Sequence, residues 1–80
     1  MSPPVTQVAS SRIDVAVGAR LRKKRESKGI AQGYLASALG ISLSTLSRYE
    51  NGIRPMTVET LAEAAAILQC DPGDFFNGIK

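Results

Sequence analysis

"GISLSTLSRYENG", residues 40–52, decides the fold of this 80-residue chain. Leu43, Leu46 and Tyr49 recur at three-residue steps, hydroxyl side chains fill the places between them, and a glycine stands at each end. That spacing predicts a short amphipathic helix over 42–51, with Ser42 as its N-cap, Leu46 and Tyr49 turned inward, and Gly52 ending it. Just upstream, residues 32–39 fit another helix with Leu35, Ala36 and Leu39 on its buried side. Only Gly40, Ile41 and Ser42 are left to join the two. A link that short makes the helices cross steeply, so small residues are needed where they meet. Ala36 and Gly40 supply them.

The rest of the chain follows the same logic. Residues 1–12 carry Pro3 and Pro4 among small polar residues without any period, and read as a flexible arm. From about Asp14 to Lys28 a helix is expected, with Val17, Leu21 and the stem of Arg25 on one side and Gly29 as its left-handed stop. Pro55 forbids helix around Arg54, so "RPMT" is a loop. Thr57 then caps a helix over 58–68 with Val58, Leu61, Ala65 and Leu68 as the expected buried stripe. "DPGDFF" opens with an Asp cap and a proline in the first turn, the start of a fifth short helix. No strand alternation appears, so the expectation is an all-α domain over residues 13–80 made of five short helices.

Composition narrows the function. There is no histidine, so no Ser-His or Cys-His pair and no imidazole base can form. No carboxylate or thiol spacing suits a metal, and the glycines do not fit a phosphate-binding loop. An enzyme is not expected, nor a cofactor. The single cysteine, Cys70, cannot make an internal disulfide, no apolar run is long enough to cross a membrane, and the N-terminus lacks the pattern of a secretory signal. A soluble, cytoplasmic protein is expected. Charge is unevenly spread: residues 12–54 hold nine Lys/Arg against three acids, whereas residues 55–80 hold one lysine against four acids. The first part therefore suits a polyanion and the second part another task.

The tight pair over 32–51, wedged onto a core by Leu35, Ile41, Leu46 and Tyr49, meets the physical specification of a helix-turn-helix. Residues 17–76 resemble the lambda-repressor-like, Cro-type helix-turn-helix family of transcriptional regulators. The resemblance is carried by "VGARLRKKRESKGIAQGYLA", "LGISLSTLSRYENG" and "TVETLAEAAAIL" followed by "DPGDFF". It implies a sequence-specific regulator of double-stranded DNA, with the helix-turn-helix at the second and third helices. Ser42, Leu43, Ser44, Thr45, Ser47 and Arg48 fall on the family's base-facing positions. Gln32 falls where the family commonly holds a phosphate, and Arg22, Lys24, Lys28, Asn51 and Arg54 are further phosphate candidates. Arg48 suits either bidentate readout of guanine or a phosphate clamp. Arg25 and Glu50 match a structural ion pair that links the first helix to the end of the recognition helix. Two departures stand out: Ala31 replaces the usual Ser or Thr cap, and Gly33 replaces a longer residue in the second helix.

A domain that reads so few base pairs gains specificity by binding twofold-related half-sites. Phe75, Phe76 and Ile79 crowd the chain's end, and one or more of them, with neighbours from the fourth helix, is expected to form a homodimer contact. The expected function is a repressor on a palindromic operator, of the phage or restriction-modification controller kind. An antitoxin bound to a toxin, or a protein-interaction module on the same fold, is the alternative.

Overall fold

The structure, a computed structural model, describes residues 12–77. It contains α1 (Arg12–Ser27), α2 (Gln32–Leu39), α3 (Leu43–Glu50) and α4 (Val58–Leu68), followed by a single 3-10 turn at Pro72–Phe75. Among the described residues, four α-helices and this 3-10 turn therefore stand where five helices were expected. The last element stays a 3-10 turn because Asp71 Oδ1 accepts from Gly73 N at 2.9 Å and Phe76 N closes back on Gly73 O at 3.0 Å, which leaves room for one tight turn only. Helix α1 starts at Arg12, two residues earlier than expected, so it takes in the last residue of the expected arm; residues 1–11 lie outside the described residues. None of the helices is long and apolar enough to cross a membrane, among the described residues.

Local chemistry sets each boundary. Ser42 Oγ accepts from Thr45 N at 3.0 Å, and Thr57 Oγ1 accepts from Thr60 N at 3.1 Å, so both helices begin on a hydroxyl cap. Ala31 offers α2 no side-chain cap. Helix α2 ends at Gly40, whose left-handed φ of 71° lets Gly40 N reach Ser37 O and Ile41 N reach Ala36 O. That double closure turns the chain sharply into α3. Helix α4 ends in the same way at Gln69, with φ of 57°.

The core is built from Val17 and Leu21 of α1, Leu35 and Ala36 of α2, Leu46 and Tyr49 of α3, Leu61, Ala64, Ala65 and Leu68 of α4, and Phe75. Two expectations fail here. Val58 is 82% exposed, because it occupies the first turn of α4 before the helix reaches the core; Leu61 is the first residue to pack. Phe75 is fully buried, so it fills this chain's own core and cannot form a dimer contact.

Helix α1 lies unusually close to the end of α3. A Cβ on Gly18 would overlap Tyr49 O and stand 2.8 Å from Glu50 O. On the other side, a Cβ on Gly52 would stand 2.5 Å from the Val15 Cα. Two backbones thus meet without side chains between them. Gly33 is the contrast, with nothing within 4 Å of its Cβ position. Gly18→Ala should therefore cost about 1–3 kcal/mol by forcing α1 off α3, whereas Gly33→Ala should gain about 0.5–1 kcal/mol from helix propensity. Urea midpoints measured for the two variants should move in opposite directions; an unchanged midpoint for Gly18→Ala would contradict the close approach.

Candidate nucleic-acid interface

Three helices meet at one carboxylate. Arg25 of α1 donates from Nε to Glu50 Oε2 at 2.7 Å and from Nη2 to Glu50 Oε1 at 3.1 Å. Its third nitrogen, Nη1, donates to Ile30 O at 2.7 Å. Gln32, the first residue of α2, donates from Nε2 to Glu50 Oε1 at 3.0 Å. Arg25 is 7% and Glu50 4% exposed, and among the described residues no buried side-chain nitrogen or oxygen lacks a partner. The hydrogen bonds with Glu50 raise the Arg25 guanidinium above its ordinary pKa, against the opposing effect of burial. The short α1–α2 loop brings the Gln32 amide beside the Glu50 carboxylate and so ties it into this network.

With α3 anchored at its end, its other side faces solvent. Leu43, Ser44 and Arg48 are exposed, while Thr45 and Ser47 are half-buried. Ser42 and Thr45 are occupied with each other: besides the cap, Ser42 Oγ donates to Thr45 Oγ1 at 2.9 Å. Ser47 Oγ accepts from Asn51 Nδ2 at 3.4 Å. Arg48 has no hydrogen-bond or ion-pair partner among the described residues, and neither does Arg54, exposed in the loop that follows. Leu43, Ser44 and Arg48 are thus the uncommitted side chains of this face.

The remaining cations are scattered. Arg22 pairs with Glu26 at 3.1 Å on exposed surface. Lys24 leans to Asp74 at 3.7 Å, on the flank of α1 that packs against the 3-10 turn and away from α3. Lys28 borders a different groove, beside Tyr34, Ile67 and Gln69. The structure does not bring Lys24 or Lys28 together with the outward side of α3. Of the expected dimer residues, Phe76 is 46% exposed, and Ile79 lies outside the described residues. Phe76 joins Ile13, Met56 and Val58 around an apolar groove of about 170 Å³ whose rim holds Asp14 and Arg54. Ile13, Val15 and Ile53 are exposed apolar residues that sequence reasoning passed over. The signal was present for α1: Ile13, Val15 and Val17 at two-residue spacing cannot share one helix side, so at least one had to face out.

Comparison with known proteins agrees with this geometry. A family model described as helix-turn-helix matches residues 21–75. An uncharacterized HTH-type transcriptional regulator of Sinorhizobium fredii, y4wC, is 30% identical over 64 residues, covering 80% of this chain and 45% of that protein. A putative HTH-type transcriptional regulatory protein of Methanocella arvoryzae is 40% identical over 67 residues, covering 82% of this chain and 20% of its own length. The chain thus spans less than half the length of either relative. Among solved structures, the restriction-modification controller protein C.AhdI from Aeromonas hydrophila superimposes with a TM-score of 0.73 at 32% identity, over 78% of this chain and 94% of that one. The clp gene regulator ClgR from Corynebacterium glutamicum gives a TM-score of 0.79 at 31% identity, over 84% of this chain and 71% of that one.

Removing one partner of the buried pair strands a charge. Arg25→Met should cost about 3–5 kcal/mol, and the double change Arg25→Met with Glu50→Leu should recover most of it, because the stranded carboxylate goes too. Chemical denaturation of the two variants tests this directly; equal losses in single and double variants would contradict it.

Proposed function

The chain belongs to the lambda-repressor-like helix-turn-helix family of transcriptional regulators, and on that premise we propose that it binds double-stranded DNA sequence-specifically as a homodimer and represses transcription from a palindromic operator. The observation that supports this best is the outward side of α3. It is capped, anchored at its far end by Glu50, and presents Leu43, Ser44 and Arg48 with no competing partner beside Arg54.

In this reading α3 enters the major groove. Arg48 either forks onto guanine O6 and N7 or clamps a phosphate, and Leu43 touches a thymine methyl. Ser44, Ser42, Thr45 and Ser47 contribute short-range hydrogen bonds, the last three only by leaving their internal partners. Arg54 and Asn51 neutralise or bond backbone phosphates. Helix α2 adds an uncapped N-terminus, whose amide groups suit an anion. Gln32 supports that end from behind through Glu50, and the second N–H of its amide is left to meet a phosphate. Arg22 sits one step round α1 from Gly18 and Arg25 and remains a peripheral phosphate contact.

The homodimer is best placed on the apolar groove. Val58 and Phe76 stand at its edge as exposed apolar groups, and a second copy offers the same groove and the same groups in return. Asp14 and Arg54 on the rim carry opposite charge, so two copies related by a twofold axis can bring unlike charges together there. Bound at an operator in the cytoplasm, such a dimer blocks access of polymerase to the promoter.

Gel-shift and sedimentation experiments test the two halves separately. Random duplex fragments should be shifted at low salt and released steeply as salt rises. Arg48→Ala should weaken binding to the preferred site by about 1–3 kcal/mol while circular dichroism stays unchanged. If the wild-type protein shifts no fragment at low salt, the DNA reading fails and the protein-interaction or antitoxin alternative takes its place. For the dimer, Val58→Asp should turn a sedimenting dimer into a folded monomer, and a wild-type protein that stays monomeric at high micromolar concentration would rule the interface out.

A further inference from the structure

One charged surface is used neither by α3 nor by the apolar groove. Arg20, Lys23, Lys24 and Ser27 of α1, with Asp74 and Asn77 opposite, line an open groove of about 560 Å³ between α1 and the 3-10 turn. Helical geometry puts it far from the recognition side. Gly18 and Arg25 mark the side of α1 that meets α3, and Arg20 and Lys23 lie about 200° and 140° round the axis from Gly18. The cations of this flank are only partly engaged. Among the described residues Lys23 has no hydrogen-bond or ion-pair partner, Arg20 makes one long contact to Ala16 O at 3.5 Å, and Lys24 reaches Asp74 at 3.7 Å.

We propose that this groove docks an acidic protein segment, and that it does so while α3 is engaged elsewhere. Two considerations favour such a segment over a second DNA duplex in this groove. Its lining mixes three cations with the Asp74 carboxylate, the Ser27 hydroxyl and the Asn77 amide, which suits a partner of patterned charge and hydrogen-bonding groups. Finally, an acidic segment that approaches DNA-bound protein is repelled by the duplex itself, and a cationic flank turned away from α3 offsets that repulsion locally. The simultaneous engagement of DNA rests on the reading of α3 given above; binding of the acidic segment does not.

The test uses a short fluorescein-labelled peptide of alternating Glu and Ser, titrated by anisotropy into the whole chain, both free and saturated with a duplex. Binding is expected in both states and should weaken as salt is raised. Charge reversal by Arg20→Glu with Lys23→Glu should weaken it roughly tenfold or more, the scale expected when two attractive surface contacts become repulsive. Lys23→Glu alone, at an exposed position, gives a smaller loss in the same direction and guards against a folding defect, with circular dichroism as the check. Arg54→Ala, outside the lining of this groove, should leave peptide binding by the free protein unchanged. The proposal is overturned if the peptide fails to bind the free protein at low salt, if the charge reversals leave binding unchanged, or if excess duplex displaces the peptide in a manner sensitive to Lys23→Glu. Failure of α3 to bind DNA would show only in the duplex-saturated arm, so the two readings fail in different places.

Discussion

The Glu50 carboxylate accepts from Arg25 of α1 and from Gln32 of α2 while belonging to the last turn of α3. Burying both charges carries a desolvation cost of several kcal/mol per ion, and the geometry answers it with a two-pronged fork and further bonds to Ile30 O and Gln32. A buried pair adds little net stability over apolar groups of equal volume. Its particular contribution here is angular, because two parallel bonds fix the planes of guanidinium and carboxylate together and with them the orientation of α3 relative to α1. The fork can form only because Gly18 brings the α1 backbone against the carbonyls of Tyr49 and Glu50. Close approach and ion pair depend on each other.

Anchoring α3 at its C-terminal end has a consequence for its reading side. The residues left outward are mostly short, and two of the hydroxyls are committed to one another. In the proposed DNA-bound state, direct hydrogen-bond readout would therefore be concentrated on Arg48 and Ser44, with Leu43 adding an apolar contact. The cationic excess of residues 12–54 is also less available to this side than its size suggests. Arg25 is neutralised inside the core, Arg22 shares Glu26, and Arg20, Lys23 and Lys24 occupy another flank. On the proposed reading, a duplex on α3 would meet only a few cations directly, and a second half-site, supplied by a second copy, would add correspondingly more to affinity.

The features legible in the sequence were those set by local chemistry. Ser42, Thr57 and Asp71 cap as their types predict, and Gly40 closes α2, since each depends on backbone groups within three residues. The Arg25–Glu50 pair came only through family resemblance, because nothing in a separation of 25 residues announces a contact. The bond from Gln32 to Glu50 was not legible for the same reason: it depends on where α3 ends in space. Helix periodicity placed Val58 in the core because it cannot tell a helix's first turn, which overhangs the core, from its second. The left-handed end of α4 at Gln69 gave no signal, since tertiary packing of Leu68 and Cys70 holds a residue there that turn chemistry would assign to glycine. Phe75 and Phe76 are adjacent and chemically alike, yet one is fully buried and the other half exposed. A 3-10 turn points neighbours in different directions, so composition alone could not divide them.

Helix α1 is where these assignments meet. One side, through Gly18 and Arg25, fixes α3. A second, through Ile13 and Val17, lines the apolar groove beside Val58 and Phe76. Arg20 and Lys23, further along α1, are cationic, and Lys23 is exposed. Arg20 lies only about 20° round the axis from Ile13, so the apolar and cationic stretches are divided along the length of the helix and not by its circumference. The middle of the helix belongs to the core, so its small residues are not interchangeable with its large ones: Gly18 cannot grow, and Leu21 cannot shrink without opening a cavity. Any displacement of α1 therefore acts on the recognition helix, through the fork, and on the apolar groove at once. The two surfaces share a rigid body, which is what a dimer needs if the spacing between its two recognition helices is to match the spacing of two half-sites.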